Sequence, residues 1–406
     1  MESEKPNSLS IIEQTVLDLT ANALFGLEKK IPEDVNWMAV WEEALVQAVE
    51  VIDFADSKSV PSEVRLAVKS TIKKLIARNV SMDWEHAHVH EMMSKAGIPY
   101  VILKGYASAS YYPVPMLRGM GDVDFLIASE DLQRAGETLK EKGYKPWDEN
   151  HICHVVYKNE VSRLEVHFEP SGIPNGRAGE LVREYLSDTL AAAEEIETQE
   201  GKMRLPSVFH HGLIILLHTS HHLTGGGIGL RHLCDWAVFA ASLTDEEFCS
   251  LFEEPFKAIG MWKFAQVLTQ TSIRFLGAPK RKWVGEEDKE LTHALIKDIL
   301  AGGNFGQKDA SRGQESLLIS SHGKDGVGNK SSLRQLIISM NEIVFLKWPV
   351  SKNIKIILPF GWIFYGGRYL VRMIMGKRPG INLKKVTSEA ALRKELYSRL
   401  DIFEIK

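Results

Sequence analysis

Two aspartates stand two positions apart in the stretch GMGDVDFLI, residues 119–127. The apolar residues around Asp122 and Asp124 predict a buried β-strand, in which side chains at positions i and i+2 point to the same face. Val123 and Phe125 then point to the opposite face. Two carboxylates held side by side repel each other and lose solvation, so the pair should cost stability unless cations neutralise it.

A third carboxylate lies in the stretch LEVHF, which predicts a nearby strand of the same sheet. Its alternation puts Glu165, His167 and Glu169 on one face. Carboxylate oxygens are hard ligands suited to Mg²⁺, and two such ions roughly 3.5–4 Å apart would offset the repulsion and clamp an in-line displacement at phosphorus. The alternative is a solvated pair at the end of a strand, because an isolated Asp-x-Asp is common.

The residues before the aspartate strand are suited to binding phosphate. The stretch LKG ends a predicted strand and opens a helix, where Gly105 lets the backbone and its N–H groups come close to a ligand. Lys104 adds a positive charge, and Ser108 adds a hydroxyl donor. Arg118 precedes the aspartates by four residues and can hold a phosphate through two N–H groups. The sequence contains neither a GxxxxGK[ST] loop nor a GxGxxG fingerprint.

These motifs together resemble a known family. The stretch YVILKGYASASYYPVPMLRGMGDVDFLI, followed by LEVHF, resembles the nucleotidyltransferase-like proteins of the DNA polymerase β superfamily over roughly residues 100–170. It is most similar to a poorly characterised bacterial branch with the pattern LKG…R…GD[IV]D…[DE]VH. The resemblance implies that Asp122, Asp124 and Glu165 are the catalytic carboxylates and bind the metal, and that Gly105 opens the phosphate turn.

The resulting hypothesis is an enzyme that uses Mg²⁺, or Mn²⁺ in its place, to move a nucleoside monophosphate from an NTP to an acceptor hydroxyl. Lys104, Gly105, Ser108 and Arg118 would hold the triphosphate. The base of the NTP stays open, with ATP as one option, and so does the acceptor: a small molecule, a sugar, a protein side chain or an RNA end. Two other functions also stay open. One is a non-catalytic protein that binds a nucleotide or a partner, and the other is a metal-dependent phosphohydrolase.

The order of helical and strand patterns predicts an α+β fold, with a small mixed-sheet domain embedded between mainly helical segments. We expect helices over residues 1–97, the nucleotidyltransferase-like α+β domain over 98–205, and a helical domain over 206–301. The segment 302–330 is rich in Gly, Ser and charge, which predicts a flexible linker. A basic helical segment follows over 331–406.

The overall composition is that of an ordinary globular protein. The chain has 406 residues and a net charge of −4, so no global excess of positive charge marks a nucleic-acid binder. Its three cysteines are scattered and form no CxxC pair, which favours a reducing, cytoplasmic location. The polar N-terminus lacks the apolar core of a secretion signal. The apolar run Ile356–Gly367 is shorter than the roughly 20 residues of a spanning helix, so we expect no transmembrane segment.

Three histidines, His211, His218 and His222, fall on one face of a predicted helix. They have three open roles: zinc ligands, core groups with satisfied hydrogen bonds, or groups that line the cleft and touch the nucleotide or the acceptor.

The C-terminal region from Phe345 carries 13 Lys/Arg and 4 Asp/Glu, a local net charge of about +9 around the apolar run. Either these charges are simply solvated, or the region contacts an anionic partner such as a phosphorylated carrier, a membrane-associated glycolipid precursor or nucleic acid. The basic residues chosen to test such a contact are Lys377, Arg378, Lys384 and Lys385.

Overall fold

The computed structural model describes residues 8–55, 59–148, 151–319, 332–376, 380 and 382–405. The helices of these residues are α1 (Ile11–Phe25), α2 (Trp37–Gln47), α3 (Glu50–Phe54), α4 (Ser62–Lys95), α5 (Tyr106–Ala109), α6 (Leu132–Glu141), α7 (Gly176–Tyr185), α8 (Val208–Thr224), α9 (Leu230–Ala241), α10 (Asp245–Ala258), α11 (Trp262–Thr271), α12 (Lys289–Gly302), α13 (Arg312–Ile319), α14 (Ser332–Lys347), α15 (Leu358–Ile374) and α16 (Leu383–Arg399). The strands are β1 (Tyr100–Ile102), β2 (Val123–Ile127), β3 (Lys145–Asp148), β4 (His154–Lys158), β5 (Arg163–His167), β6 (Glu194–Glu197) and β7 (Lys202–Leu205).

Five of the strands form one mixed sheet in the order β1-β2-β5-β4-β3. Strands β2 and β5 lie side by side and run parallel, whereas the other neighbours are antiparallel. Strands β6 and β7 form a separate two-stranded sheet. The predicted α+β class and the mixed sheet are therefore confirmed. That residues 98–205 form an embedded nucleotidyltransferase domain stays a prediction.

The long helix α4 fixes the loop that leads into β2. The Asn79 side-chain amide donates to the Met116 carbonyl at 2.7 Å and accepts from the Met120 N–H at 3.0 Å. Arg78 donates to the Gly121 carbonyl at 3.0 Å. These hydrogen bonds hold the residues directly before Asp122, so the entrance to the aspartate strand has a defined path.

Two groups of buried apolar side chains support this arrangement. One group packs on the face of the sheet away from the carboxylates and includes Val123, Phe125 and Leu139. The other lies among the helices and includes Leu213, Trp236 and Phe248, with members from both ends of the described chain. Burial of these side chains supplies the main driving force for folding of the sheet and of the helical region. Within the described residues, no helix combines the length and the hydropathy that are needed to cross a bilayer.

Some local predictions are wrong or incomplete. The apolar pattern of WMAVWEEALVQAVEVI predicts one helix, but the structure divides it into α2 and α3 at Ala48, which has a left-handed φ of 58°. The pattern does not reveal strands β3, β6 and β7, because their residues are mostly polar and exposed. Such strands lack the apolar alternation that marks a strand buried on one face.

Helix α13 lies within the segment 302–330 predicted as a linker, so part of this segment is helical. The charged residues of α13 are buried rather than solvated. Arg312 donates to Asp298 at 2.9 Å, and Arg393 of α16 donates to Glu315 at 2.9 Å. These ion pairs attach α13 to α12 and α16. Residues 320–331 of the predicted linker lie outside the described part of the chain.

Candidate active site

The three predicted carboxylates come together at the edge of the parallel strand pair. Asp124 of β2 lies directly opposite Glu165 of β5 in the sheet register, and Asp122 immediately precedes β2. One oxygen from each of the three carboxylates lies within 4.8 Å of the others. Asp124 is buried, whereas about a third of the Asp122 side chain is exposed. The spacing of the motifs therefore predicts this convergence correctly.

Nearby positively charged side chains offset the repulsion between the three carboxylates. The Lys104 ammonium lies 2.7 Å from Asp124 Oδ1, and His167 Nε2 lies 3.0 Å from the same oxygen. Arg163 contacts Glu165 and approaches Asp122 Oδ2 at 3.8 Å. These positive groups compensate the carboxylates, which makes the cluster compatible with folding before any ligand binds.

The two aspartates differ in their tendency to ionise. Burial opposes ionisation of Asp124, but the Lys104 ammonium and the His167 hydrogen bond hold its pKa well below the ordinary value. Burial, together with the carboxylates of Asp124 and Glu165, raises the pKa of Asp122 to about 6. Burial also opposes protonation of His167, but its hydrogen bond to Asp124 raises the pKa to about 10, so His167 is an imidazolium at neutral pH.

The turn at Gly105 depends on glycine. Its backbone has φ 65° and ψ −115°, a conformation that L side chains rarely adopt. A Cβ at this position would lie 2.5 Å from Nε2 of the buried His86. Burial lowers the pKa of His86 to about 4, so the ring is neutral and its Nδ1 donates to the Met82 carbonyl at 2.6 Å. The helix that Gly105 opens has only four residues, so its dipole contributes little to anion binding.

Replacing Gly105 by alanine should therefore destabilise the fold. We expect a loss of about 1–3 kcal/mol in the free energy of unfolding from the strained backbone alone. Gly119→Ala is the matched control, because a Cβ there meets no atom within 4 Å and the backbone has no left-handed φ. Urea unfolding of both variants measures the difference, and equal midpoints would contradict the argument.

Arg118, the predicted phosphate ligand, is bound to a side chain of α9. Its Nε and Nη2 lie 2.7 Å from the two carboxylate oxygens of Asp235, and its Nη1 donates to the Gly105 carbonyl at 3.3 Å. Tyr112 also donates to Asp235, at 2.7 Å. In this structure Arg118 thus links α9 to the phosphate turn. Direct contact between Arg118 and a phosphate stays a prediction.

A cleft of about 1050 Å³ lies between the carboxylate edge of the sheet, α4, α8 and α9. Lys104, Gly105 and Ser108 line it together with the carboxylates. A cleft of this size is typical of a small-molecule site. The predicted site residues therefore share one wall of a space large enough for a nucleotide.

Sequence reasoning missed three residues that line this cleft. Arg163 alternates with Glu165 along β5, so strand periodicity contains a signal for it. Arg231 donates to the Gly119 carbonyl at 3.0 Å and comes from the start of α9. Phe305 belongs to the segment predicted as a linker and exposes 47% of its surface. Local patterns contain no signal for Arg231 or Phe305, because only tertiary packing brings them to the cleft.

The three predicted histidines separate into two environments. His211 is buried and stacks on Tyr111, with ring centroids 5.2 Å apart. His218 and His222 line the cleft, and their Nε2 atoms lie 3.0 Å apart. Burial lowers the pKa of both, helped by the nearby Lys104 ammonium, so these imidazoles are neutral. Of the proposed roles, lining the cleft thus fits two of the three. His211 has a core position, but neither of its ring nitrogens has a hydrogen-bond partner among the described residues, so the predicted satisfied hydrogen bonds are not found.

A second group of metal-ligand side chains lies beside the carboxylates. His151 Nδ1 and His154 Nδ1 lie 3.4 and 3.7 Å from the Cys153 sulfur. Burial opposes ionisation of the thiol, but hydrogen bonds from the two histidines lower the pKa of Cys153 to about 4. On its other side, His154 Nε2 lies 3.9 Å from Glu165 Oε2. Sulfur and imidazole donors suit zinc rather than magnesium, so this set is chemically distinct from the carboxylate cluster.

Comparison with known protein families gives a match over more than half of the chain. A family model described as "Uncharacterised nucleotidyltransferase" matches residues 32–277, which is 246 of the 406 residues. The matched region contains the carboxylates, the phosphate turn and the cleft residues of α8 and α9. No curated protein and no solved structure matches significantly. Relation to the DNA polymerase β superfamily and to its LKG…GD[IV]D branch stays a prediction. Since the match covers more than half of the sequence, the chain belongs to this uncharacterised nucleotidyltransferase family.

Proposed function

We propose that the protein is a divalent-metal-dependent nucleotidyltransferase that moves a nucleoside monophosphate from an NTP to an acceptor hydroxyl and releases pyrophosphate. One observation carries this proposal: Asp122, Asp124 and Glu165 come together at one wall of a large cleft, in a chain that belongs to a nucleotidyltransferase family. Residues 98–205 would form the catalytic unit, and the helices after it would complete the cleft.

The donor set fits a hard divalent cation. Three carboxylates, on β5, on β2 and directly before β2, offer oxygen ligands only, which Mg²⁺ and Mn²⁺ prefer. Asp122, Asp124 and Glu165 would hold the metal. When bound, the metal supplies positive charge that stabilises the reacting phosphate and favours ionisation of the acceptor hydroxyl.

The chain's own residues would position the triphosphate. The Lys104 ammonium lies between Asp124 and His218, at 2.7 and 3.4 Å, so it stands at the junction of the carboxylates and the open cleft. Lys104 would donate to phosphate oxygens, with Ser108 and the Gly105 backbone beside it. His167, which is protonated at neutral pH, keeps Asp124 ionised and oriented. These groups act mainly by positioning and charge compensation.

Glu165 is the residue that we assign to accept the acceptor's proton. Burial opposes its ionisation, but the His167 hydrogen bond and the Lys104 charge lower the pKa of Glu165, so the carboxylate is ionised at neutral pH. A base must be unprotonated and within reach of the reacting hydroxyl. Glu165 is ionised and lines the cleft, where a bound acceptor hydroxyl would lie within its reach.

Phe305 would stack on the nucleobase. Its ring is half exposed in the cleft, and the rings of His222 and His232 support it edge-on at 4.8 and 5.3 Å. The residue holds a left-handed φ of 56°, a conformation that is uncommon for residues other than glycine. The Arg231 guanidinium lies 5.8 Å from the ring centre and adds positive charge nearby.

Phe305→Ala should therefore weaken nucleotide binding. Loss of a base-stacking ring costs about 1–3 kcal/mol, so we expect a corresponding rise in the dissociation constant of each NTP by calorimetric titration. Phe305→Tyr is the matched control, since it keeps the aromatic face and should bind as the wild type does. Unchanged affinity in the alanine variant would remove Phe305 from the nucleotide site.

The proposed reaction can be tested with radiolabelled substrates. The purified protein is incubated with each α-labelled NTP, with Mg²⁺ or Mn²⁺, and with a cell extract that supplies acceptors. Transfer of label to an acceptor, with pyrophosphate release, is the expected result, and it should be absent in the Asp124→Asn variant. Release of free phosphate or NMP without an acceptor would instead indicate a phosphohydrolase. Nucleotide binding without turnover would indicate a non-catalytic binding protein.

A further inference from the structure

The outer surface of α15 and of the residues around it is strongly apolar and has no role in the proposed reaction. Several large side chains point away from the protein here, and two of them, Ile363 and Ile374, expose 74% and 82% of their surface. Phe360, Phe364 and Val371 are also more than half exposed. Single exposed apolar residues are common on proteins, but a continuous patch marks an interaction surface.

The exposed side chains form one stripe along the helix. Positions 360, 363, 364, 367, 370, 371 and 374 follow the i, i+3, i+4, i+7 spacing, which places them within about 120° of the helix circumference. Arg368 lies about 40° outside this stripe and Arg372, one turn further along, lies about 80° outside it, and both are exposed. An apolar stripe flanked by basic residues is typical of helices that lie in the interface of a bilayer.

The opposite face of α15 packs against the rest of the protein. A Cβ at Gly361 would lie 2.6 Å from the Val344 methyl groups, so α15 and α14 pack closely there. Trp362 Nε1 donates to Asn341 Oδ1 at 3.1 Å, and Gln314 of α13 donates to the Tyr369 hydroxyl at 2.7 Å. The stripe is thus presented on a defined helix whose own buried face is already covered.

The net charge of the residues around α15 indicates what kind of partner this surface binds. Residues 343–388 contain nine Lys/Arg and no Asp or Glu. A second copy of the chain would bring two such positive surfaces together, which is unfavourable. Nucleic acid would pair with the charges but would leave the apolar stripe in water. An anionic bilayer satisfies both features, because acyl chains receive the apolar side chains while lipid phosphates pair with Lys and Arg.

We infer that α15 seats the protein on the surface of an anionic lipid bilayer. The apolar stripe enters the boundary between headgroups and acyl chains, and the basic residues around it contact the headgroups. This inference does not depend on the proposed nucleotidyl transfer, because it rests on a different surface and is tested without substrate.

Vesicle flotation of the full chain tests the inference. We expect the protein to float with phosphatidylcholine vesicles that contain roughly 30 mol % phosphatidylglycerol, and to float much less with phosphatidylcholine alone. Binding should weaken as salt rises, because the Debye length falls from about 30 Å at 0.01 M to about 10 Å at 0.1 M. Equal binding to both vesicle types, or no binding to either, would overturn the inference.

Two sets of variants locate the contact. Ile363→Ser with Ile374→Ser should reduce the bound fraction at least about tenfold, since the stripe loses two side chains that would enter the bilayer. Leu66→Ser with Ile11→Ser is the matched control, because these residues are also well exposed, at 71% and 55%, but lie on α4 and α1. Thermal melts verify that all variants are folded. Normal flotation of the stripe variant would exclude α15 as the contact.

A charge variant and an assembly measurement complete the design. Arg368→Gln with Arg372→Gln should reduce binding to anionic vesicles, and adding Lys384→Gln should reduce it further. Lys385 is left unchanged because its ammonium already pairs with Asp309 at 2.8 Å. Lys377 and Arg378 lie outside the described residues and can be changed in a separate variant. Light scattering without vesicles measures self-association. A wild-type dimer that the stripe variant converts to a monomer would identify a second copy as the partner and overturn the bilayer assignment.

Discussion

Asp122→Asn and Asp124→Asn should both abolish nucleotidyl transfer, but only Asp124→Asn should destabilise the fold. Each substitution removes one metal carboxylate, so we expect activity to fall at least about a hundredfold in both variants. Asp124 accepts from Lys104 and His167, and its loss weakens hydrogen bonds between charged groups that are worth about 1.5–3 kcal/mol each. Asp122 instead carries a charge that burial and its neighbours oppose, so its removal should leave stability unchanged or raised.

The pH dependence of stability separates these two effects. The pKa of Asp122 is raised to about 6 in the folded state, so its ionisation costs stability above pH 6, and this cost disappears as protonation proceeds below that value. Any stability that Asp122→Asn gains over the wild type at neutral pH should therefore fade as the pH falls through about 6. Asp124 behaves in the opposite way: because its folded-state pKa is depressed, its contribution is present throughout this range and is lost only at much lower pH.

Denaturant unfolding of metal-free protein at about pH 7.5 and pH 5 measures the stability effects, and the labelled-NTP assay measures activity. Asp131→Asn is the control, since this residue pairs with a half-exposed arginine outside the cleft. Retention of metal-dependent activity in both site variants would refute the assignment of the carboxylates. Equal destabilisation by both would refute the distinction between them.

Breaking the Arg118–Asp235 pair should cause a large loss of stability. Both side chains are buried and joined by two hydrogen bonds of 2.7 Å, so removal of either partner leaves a buried charge without compensation. Such losses cost about 3–5 kcal/mol, and we expect this range for Arg118→Ala and for Asp235→Ala in urea unfolding. Replacing both residues together, Arg118→Met with Asp235→Leu, should recover much of the loss because no charge stays unpaired.

The pair Lys95–Glu91 is the surface control, since both side chains are mostly exposed. Glu91→Gln should lower the free energy of unfolding by less than about 1 kcal/mol. The experiment also decides between two roles of Arg118. A residue that only holds phosphate should weaken NTP binding when replaced and leave unfolding almost unchanged. That outcome for Arg118→Ala would contradict the structural role and support the original prediction of a phosphate ligand.

The sequence by itself predicts which carboxylates come together and much of their local geometry. Alternation along two strands places Asp122, Asp124 and Glu165 on one side, and the glycine after Lys104 marks a turn next to them. These inferences succeed because strand periodicity and glycine conformation are local properties that neighbouring residues determine. The α+β class follows from the same local patterns.

The partners of these residues depend on the tertiary structure. Asp235 lies 117 residues after Arg118, and His218 lies 114 residues after Lys104, so no local pattern indicates either contact. The segment around Phe305 looks like a linker because it is rich in Gly, Ser and charge. Long-range packing nevertheless orders α13 through buried ion pairs and brings Phe305 to the cleft.

The difference in charge state between the two aspartates also arises only in three dimensions. Strand spacing treats Asp122 and Asp124 as equivalent and predicts the same repulsion for both. The fold buries Asp124 between a lysine from the preceding turn and a histidine from β5, whereas it leaves Asp122 with weaker compensation. The sequence thus determined which groups could bind a metal. The packing of distant segments decided which of them is held as a stable anion, because pKa depends on the charges and burial that only tertiary contacts provide.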